Sequence, residues 1–174
     1  MKSIFSFITI FSFSFFSAQL WIPQGVDIDG EAAGDESGYS VSINASGDKV
    51  AIGAIGNNDN NLADIGHVRI YSWDGTSWTQ LGQDIDGETA GDRSGYSVSM
   101  NSAGDIVAIG APFNDGNGSD AGHVRIYAWN GTSWTQLGQD IDGETAGDRS
   151  GYFESSILFF SNKMESSATF KIES

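Results

Sequence analysis

Six aspartates stand where they could hold a hard cation. Asp84, Asp86 and Asp92 lie in "DIDGETAGD", and Asp140, Asp142 and Asp148 take the same places in an identical phrase 56 residues later. Calcium wants six to eight oxygens, and D-x-D-G-x4-D supplies carboxylates at partly suitable spacing. The spacing matches no established calcium loop, and Asp with Gly also makes turns and keeps a surface soluble. The reading adopted is therefore no cofactor, with calcium at these six aspartates as the alternative. His67 and His123 hold equal places in "GHVRIY". No second ligand recurs beside them in the sequence, so each reads as a strand-edge histidine making a local hydrogen bond. No activated nucleophile accompanies the carboxylates. An acid pair repeated in every copy would give each copy its own active site, which argues against glycosidase chemistry. The chain reads as non-enzymatic.

What positions these residues is a repeat. Tyr39, Tyr96 and Tyr152 end three copies of the acidic phrase, spaced 57 and 56 residues apart, and Gly75–Tyr96 equals Gly131–Tyr152 residue for residue. Such identity looks like recent duplication and cannot by itself single out functional residues. A period of this size means a repeat architecture with one supersecondary module per unit. Within a unit, "GYSVSIN" alternates apolar with polar residues, "KVAIGAI" is a short apolar run, and "HVRIYSW" alternates again. These are strand signatures, half-buried or central. Asp74-Gly75 and Asn130-Gly131 are hairpin turns leading into "WTQLGQ". Nothing shows helical spacing. Four antiparallel strands per unit with an aromatic-rich hairpin is the pattern of a β-propeller blade. Trp73, Trp78, Trp129 and Trp134 read as cross-strand packing aromatics, or else as platforms for sugar rings.

The bounds agree with an exported domain. The chain has 174 residues, 23 acidic against 8 basic, a net charge of −15 and no cysteine. That charge repels phosphate backbones and anionic headgroups, which argues against nucleic acid and membrane surfaces as partners. Lys2, an apolar Ile4–Phe16 and the small Ala18 form a signal peptide over residues 1–18, expected as a short helix that is cleaved away. The run is short for a membrane span, which needs about 20 apolar residues. The repeats then occupy 19–152, and 153–174 has no counterpart in them. That tail reads as an interruption or truncation, or alternatively as a natural cap strand.

"SGYSVSMNSAGDIVAIGAP" (Ser94–Pro112) followed by "GHVRIYAW" resembles the FG-GAP repeat of integrin-alpha-type propellers, as found in secreted bacterial surface proteins. Gly95-Tyr96 takes the place of Phe-Gly, and Gly110-Ala111-Pro112 is the GAP element. The resemblance implies two four-stranded antiparallel blades of an all-β propeller, partial and unclosed. It does not carry over the family's calcium loop, because "NASGD" and "NSAGD" replace the carboxylate-rich segment before the GAP strand. Strand order in a blade puts the 4–1 crossing ("DIDGETAGD") and the 2–3 loop ("FNDGNGSDAG") at one end. That end gathers Asp84, Asp86, Glu88, Asp92, Asp115 and Asp120, against only Asp105 at the other. Loops on a rigid scaffold are where binding concentrates.

The expected function is an exported, non-enzymatic adhesion module at the cell surface, binding protein or glycan through the acidic loop face. The alternatives are structural spacer repeats in a larger surface protein, or the non-catalytic propeller part of a secreted enzyme. Two blades expose surfaces that a closed ring would cover, so the isolated chain is expected to self-associate. Strand alternation places Val50, Ile52, Val107 and Ile109 in the core.

Overall fold

The computed structural model describes residues 22–58 and 63–152. The expected signal helix at 1–18 and the tail 153–174 lie outside these residues. The described chain is all-β, with ten strands and no helix. The first sheet contains β1 (Ser37–Ile43), β2 (Lys49–Ala54), β3 (His67–Trp73), β4 (Trp78–Gln80) and β5 (Ile85–Asp86). The second contains β6 (Ser97–Met100), β7 (Ile106–Ala111), β8 (His123–Trp129), β9 (Trp134–Gln136) and β10 (Ile141–Asp142). Within each sheet the first three strands neighbour one another in order, all antiparallel.

The outermost strand of each sheet is one line in two pieces. In the first sheet β4 pairs Tyr71–Trp73 of β3, and β5 pairs His67 and Val68. The Leu81 amide donates to the Ile70 carbonyl at 2.7 Å between them. The acidic phrase therefore contains a short strand, Ile85–Asp86, and only its later part is the crossing expected from strand order. Backbone pairing is the reason: Ile85 and Asp86 pair with Val68 and His67. Ile141 and Asp142 pair with Val124 and His123 although Ile141, unlike Ile85, is exposed.

Local chemistry makes the turns. Asn44 accepts the Asp48 and Lys49 amides while its own amide donates to the Asp48 carboxylate, and Asn101 does the same with Asp105. Each "N-x-x-G-D" is thus a self-capped tight turn. At the hairpin, Asp74 accepts the amides of Thr76 and Ser77 and both their hydroxyls. These four bonds hold its carboxyl well below the usual carboxylate value of 3.8. A depressed carboxyl contributes stability above its unfolded pKa, and loses it as pH falls through the folded value. Asn130 accepts the Thr132 and Ser133 amides and the Thr132 hydroxyl and donates its Nδ2 to Ser133 Oγ, with no titrating group. D74N is accordingly expected to match the parent near neutral pH. Below about pH 4 it should retain turn stability that the parent loses, and thermal unfolding of the pair from pH 7 to pH 2 measures the divergence.

The core lies between the two sheets. Ala51, Val68, Ile70 and Ile85 of the first form one cluster with Val98, Met100, Val107, Ile109 and Tyr127 of the second. Each fully buried Val or Ile contributes about 1.5–3 kcal/mol relative to exposure. Val50, Ile52, Val107 and Ile109 are all buried, Val107 and Ile109 in this cluster and Val50 and Ile52 in a second one with Tyr71, covered by Ile28 and Trp78. The backbones meet where both carry glycine. A Cβ on Gly53 would lie 2.2 Å from the Gly95 carbonyl, and one on Gly110 2.3 Å from that of Gly151. Ser40 Oγ donates to the Gly95 carbonyl at 2.7 Å, and Ser97 Oγ to that of Gly151 at 2.9 Å. The glycine of "GY" and the glycine of "GAP" are partners across repeats.

The tryptophans are packing residues that also tie the repeats together. Trp73 and Trp78 lie opposite one another at 5.4 Å between ring centroids, as do Trp129 and Trp134 at 5.5 Å. Trp134 Nε1 donates to the Leu81 carbonyl at 2.8 Å, and Trp78 Nε1 to that of Gln24 at 2.9 Å. Ile22–Val26 thus takes the place of an outer-strand end against the first sheet. Residues 22–26 form no strand themselves.

Candidate functional site

The crossing and the 2–3 loop meet at one end of each sheet, as strand order implies. Amides of Gly87, Gly91, Arg93 and Ser94 donate to the carbonyls of Gly66, Ala63, Asp64 and Ile65. The next copy repeats the ladder from Gly143, Gly147, Arg149 and Ser150 to Gly122, Ser119, Asp120 and Ala121. Backbone pairing makes this a stiff surface. Its charge is partly neutralised. Arg93 lies 3.9 Å from Asp64 and Arg149 3.3 Å from Asp120, and both guanidinium groups sit 5.2 Å from the Phe113 ring. Beside them Tyr39, Tyr96 and Tyr152 form a row with 4.8 Å between successive ring centroids, the first pair tilted at 55° and the second stacked.

The six aspartates separate into three kinds of place. Asp92 and Asp148 turn inward on their own loop, where each accepts the amide and hydroxyl of the threonine three residues earlier. Asp92 is buried and also accepts Asn114 Nδ2 at 3.0 Å, linking crossing to 2–3 loop. The bonds from Thr145 pull the Asp148 carboxyl down. Asp86 and Asp142 sit on the short outer strands, where the Asp86 carbonyl receives the Arg125 guanidinium at 2.6 Å. Asp84 and Asp140 face the histidines.

Those histidines are not the hydrogen-bonded edge residues expected from the sequence. His67 and His123 are fully buried at the start of β3 and β8, and neither ring nitrogen of His67 has a hydrogen-bond partner. His67 Nδ1 lies 3.7 Å from Asp84 Oδ2 and 4.0 Å from Glu31 Oε2. His123 Nδ1 lies 3.7 Å from Asp140 Oδ2, with Glu88 completing the second group. Among the described residues these two triads alone gather three groups able to hold a metal, and Asp86, Asp92, Asp142 and Asp148 belong to neither. Burial, then the neighbouring Arg125 charge, push the His123 imidazole below its ordinary pKa; Asp140 and Glu88 oppose them.

A buried arginine underlies each triad. Arg69 sits 3.7 Å from Glu31 Oε1, donates to the Asp29 carbonyl at 2.8 Å and lies 5.6 Å from the Tyr71 ring. Arg125 repeats this with Glu88 at 3.6 Å, the Asp86 carbonyl and the Tyr127 ring. Glu31, Glu88, Arg69 and Arg125 went unnoticed in sequence as partners of the histidines. The available signal was "HVR" recurring in phase with "DGE".

No curated protein matches the chain. A family model described as FG-GAP repeat matches residues 85–127, from β5 through the crossing to the middle of β8. With the GY and GAP glycines paired across two propeller-like sheets, residues 85–127 are similar to an FG-GAP repeat.

Proposed function

We propose that the chain is an exported, non-enzymatic propeller-repeat protein that adheres to a basic protein surface through its loop end. The observation that carries this reading is the backbone ladder joining crossing to 2–3 loop. It holds half-exposed carboxylates such as Glu88 on a stiff base, so little ordering entropy opposes binding. A net charge of −15 adds long-range attraction for a cationic partner. Each polar cluster recurs in both repeats, which suits multivalent adhesion better than catalysis at one centre.

Binding of the labelled chain to intact cells, at low and high salt, tests the reading, with a glycan array in parallel. E88Q combined with D115N should weaken cell binding several-fold, with a steep salt dependence, and D105N at the opposite end should not. Array signal unaffected by salt would move the assignment to a glycan. Silence in both assays would leave the structural spacer.

A further inference from the structure

We propose that Glu31, His67 and Asp84 form a binding site for a divalent first-row transition ion of the zinc class, and that Glu88, His123 and Asp140 form a second. The His67 ring is buried with both nitrogens lacking hydrogen bonds, a costly state for a polar group. Its Nδ1 faces two carboxylate oxygens at 3.7 and 4.0 Å. These separations are too long for hydrogen bonds. They approach the separation of about 3.4 Å between donors that share one tetrahedral ion, each about 2.0–2.2 Å from it. A closure of about half an ångström would bring both carboxylates and the imidazole onto one ion.

The unused oxygens are already occupied. Asp84 Oδ1 accepts Gln80 Nε2, and Glu31 Oε1 faces Arg69, so Oδ2 and Oε2 are left turned toward the imidazole. Outer partners that aim ligands in this way are a regular feature of metal centres. The second site repeats it, with Gln136 on Asp140 Oδ1 and Arg125 on Glu88 Oε1. Because the copies are near-identical in sequence, the second does not corroborate the first; it sets the stoichiometry at two.

The donor set selects the ion. Calcium and magnesium are bound by oxygen, so a buried imidazole contributes nothing to them. One imidazole with two carboxylates suits zinc and leaves a coordination position open to water. Two carboxylates against one guanidinium leave the site with net negative charge to receive a dication. The ion would join the loop entering a blade, through Glu31, to that blade's third strand and outer strand, through His67 and Asp84. This proposal shares Glu88 with the adhesion reading but does not rest on it, and the two are told apart at Asp84, which only the metal site uses.

The test is calorimetric titration of the untagged, chelator-treated full chain with zinc chloride and, separately, calcium chloride. Two zinc equivalents are expected. D84N should leave one and D84N/D140N none, each lost site weakened about 100-fold or more, while Q80A should weaken one site about 10-fold with its ligands intact. Cobalt in place of zinc should give visible absorption that halves in D84N. E31Q serves if D84N fails to fold. Absence of saturable zinc binding, a stoichiometry unmoved by D84N and E31Q, or calcium binding as tightly as zinc overturns the proposal.

Discussion

Replacing Gly95 with alanine is expected to remove about 3 kcal/mol of folding stability, a large share of the 5–15 kcal/mol typical of a domain. Two costs combine. Gly95 has φ of +86°, where an L side chain is strained by about 1–3 kcal/mol. Its Cβ would also lie 2.6 Å from the His67 carbonyl and 3.0 Å from the Gly53 Cα. Both obstacles are backbone, so neither can swing aside, and overpacking adds about 1–3 kcal/mol. Gly91 supplies the control. It has φ of +89° with nothing within 4 Å, so G91A should show the strain alone. G53A should show the clash alone, against the Gly95 carbonyl at 2.2 Å. Urea unfolding of the three variants resolves the terms. If G95A were no worse than G91A, close approach of the repeats would not be what this glycine serves.

The second large effect is expected on association. Val98 and Met100 of β6 are 7% exposed because they pack into the core shared with the first sheet. Their counterparts in β1, Val41 and Ile43, are 54% and 57% exposed. On the opposite side Ile85 is buried, while its counterpart Ile141 is 41% exposed and Leu137 48%. Among the described residues, each outer face is one half of an interface the chain already forms once between its own repeats. Such faces are complementary head to tail and need no new chemistry to pair between copies. The chain from Gln19 onward should therefore associate in a concentration-dependent way despite its −15 charge. I43K should shift it to monomer with little change in thermal stability, whereas V98K should unfold it. Sedimentation velocity with thermal unfolding decides this. A parent that stays monomeric at high concentration would count against open faces as adhesive surfaces.

Much of the fold was readable because its causes are local. Alternation in "GYSVSIN" and "HVRIYSW" predicts strands, and Asn or Asp accepting its own loop amides predicts the turns at Asn44, Asp74, Asn101 and Asn130. The 56-residue period implied one module per unit, and the one-end placement of the two long loops followed from strand count alone.

Other features are properties of register and packing. That Ile85–Asp86 is strand depended on its backbone pairing with His67 and Val68, which no polar phrase advertises. Asp92 looked like a solvated ligand and is a buried loop brace, because Asn114 reaches it from the next 2–3 loop. His67 looked solitary because its neighbours lie 36 residues before it and 17 after. Pairing of β5 with the start of β3 carries Asp84 toward the ring, and the crossing into β1 returns Glu31 to the same place. The sequence by itself determined strands, turns and repeat, since hydrogen bonding and alternation act over a few residues. Tertiary structure alone decided which carboxylates meet a histidine, because that meeting depends on strand pairing and loop closure between distant parts of the chain.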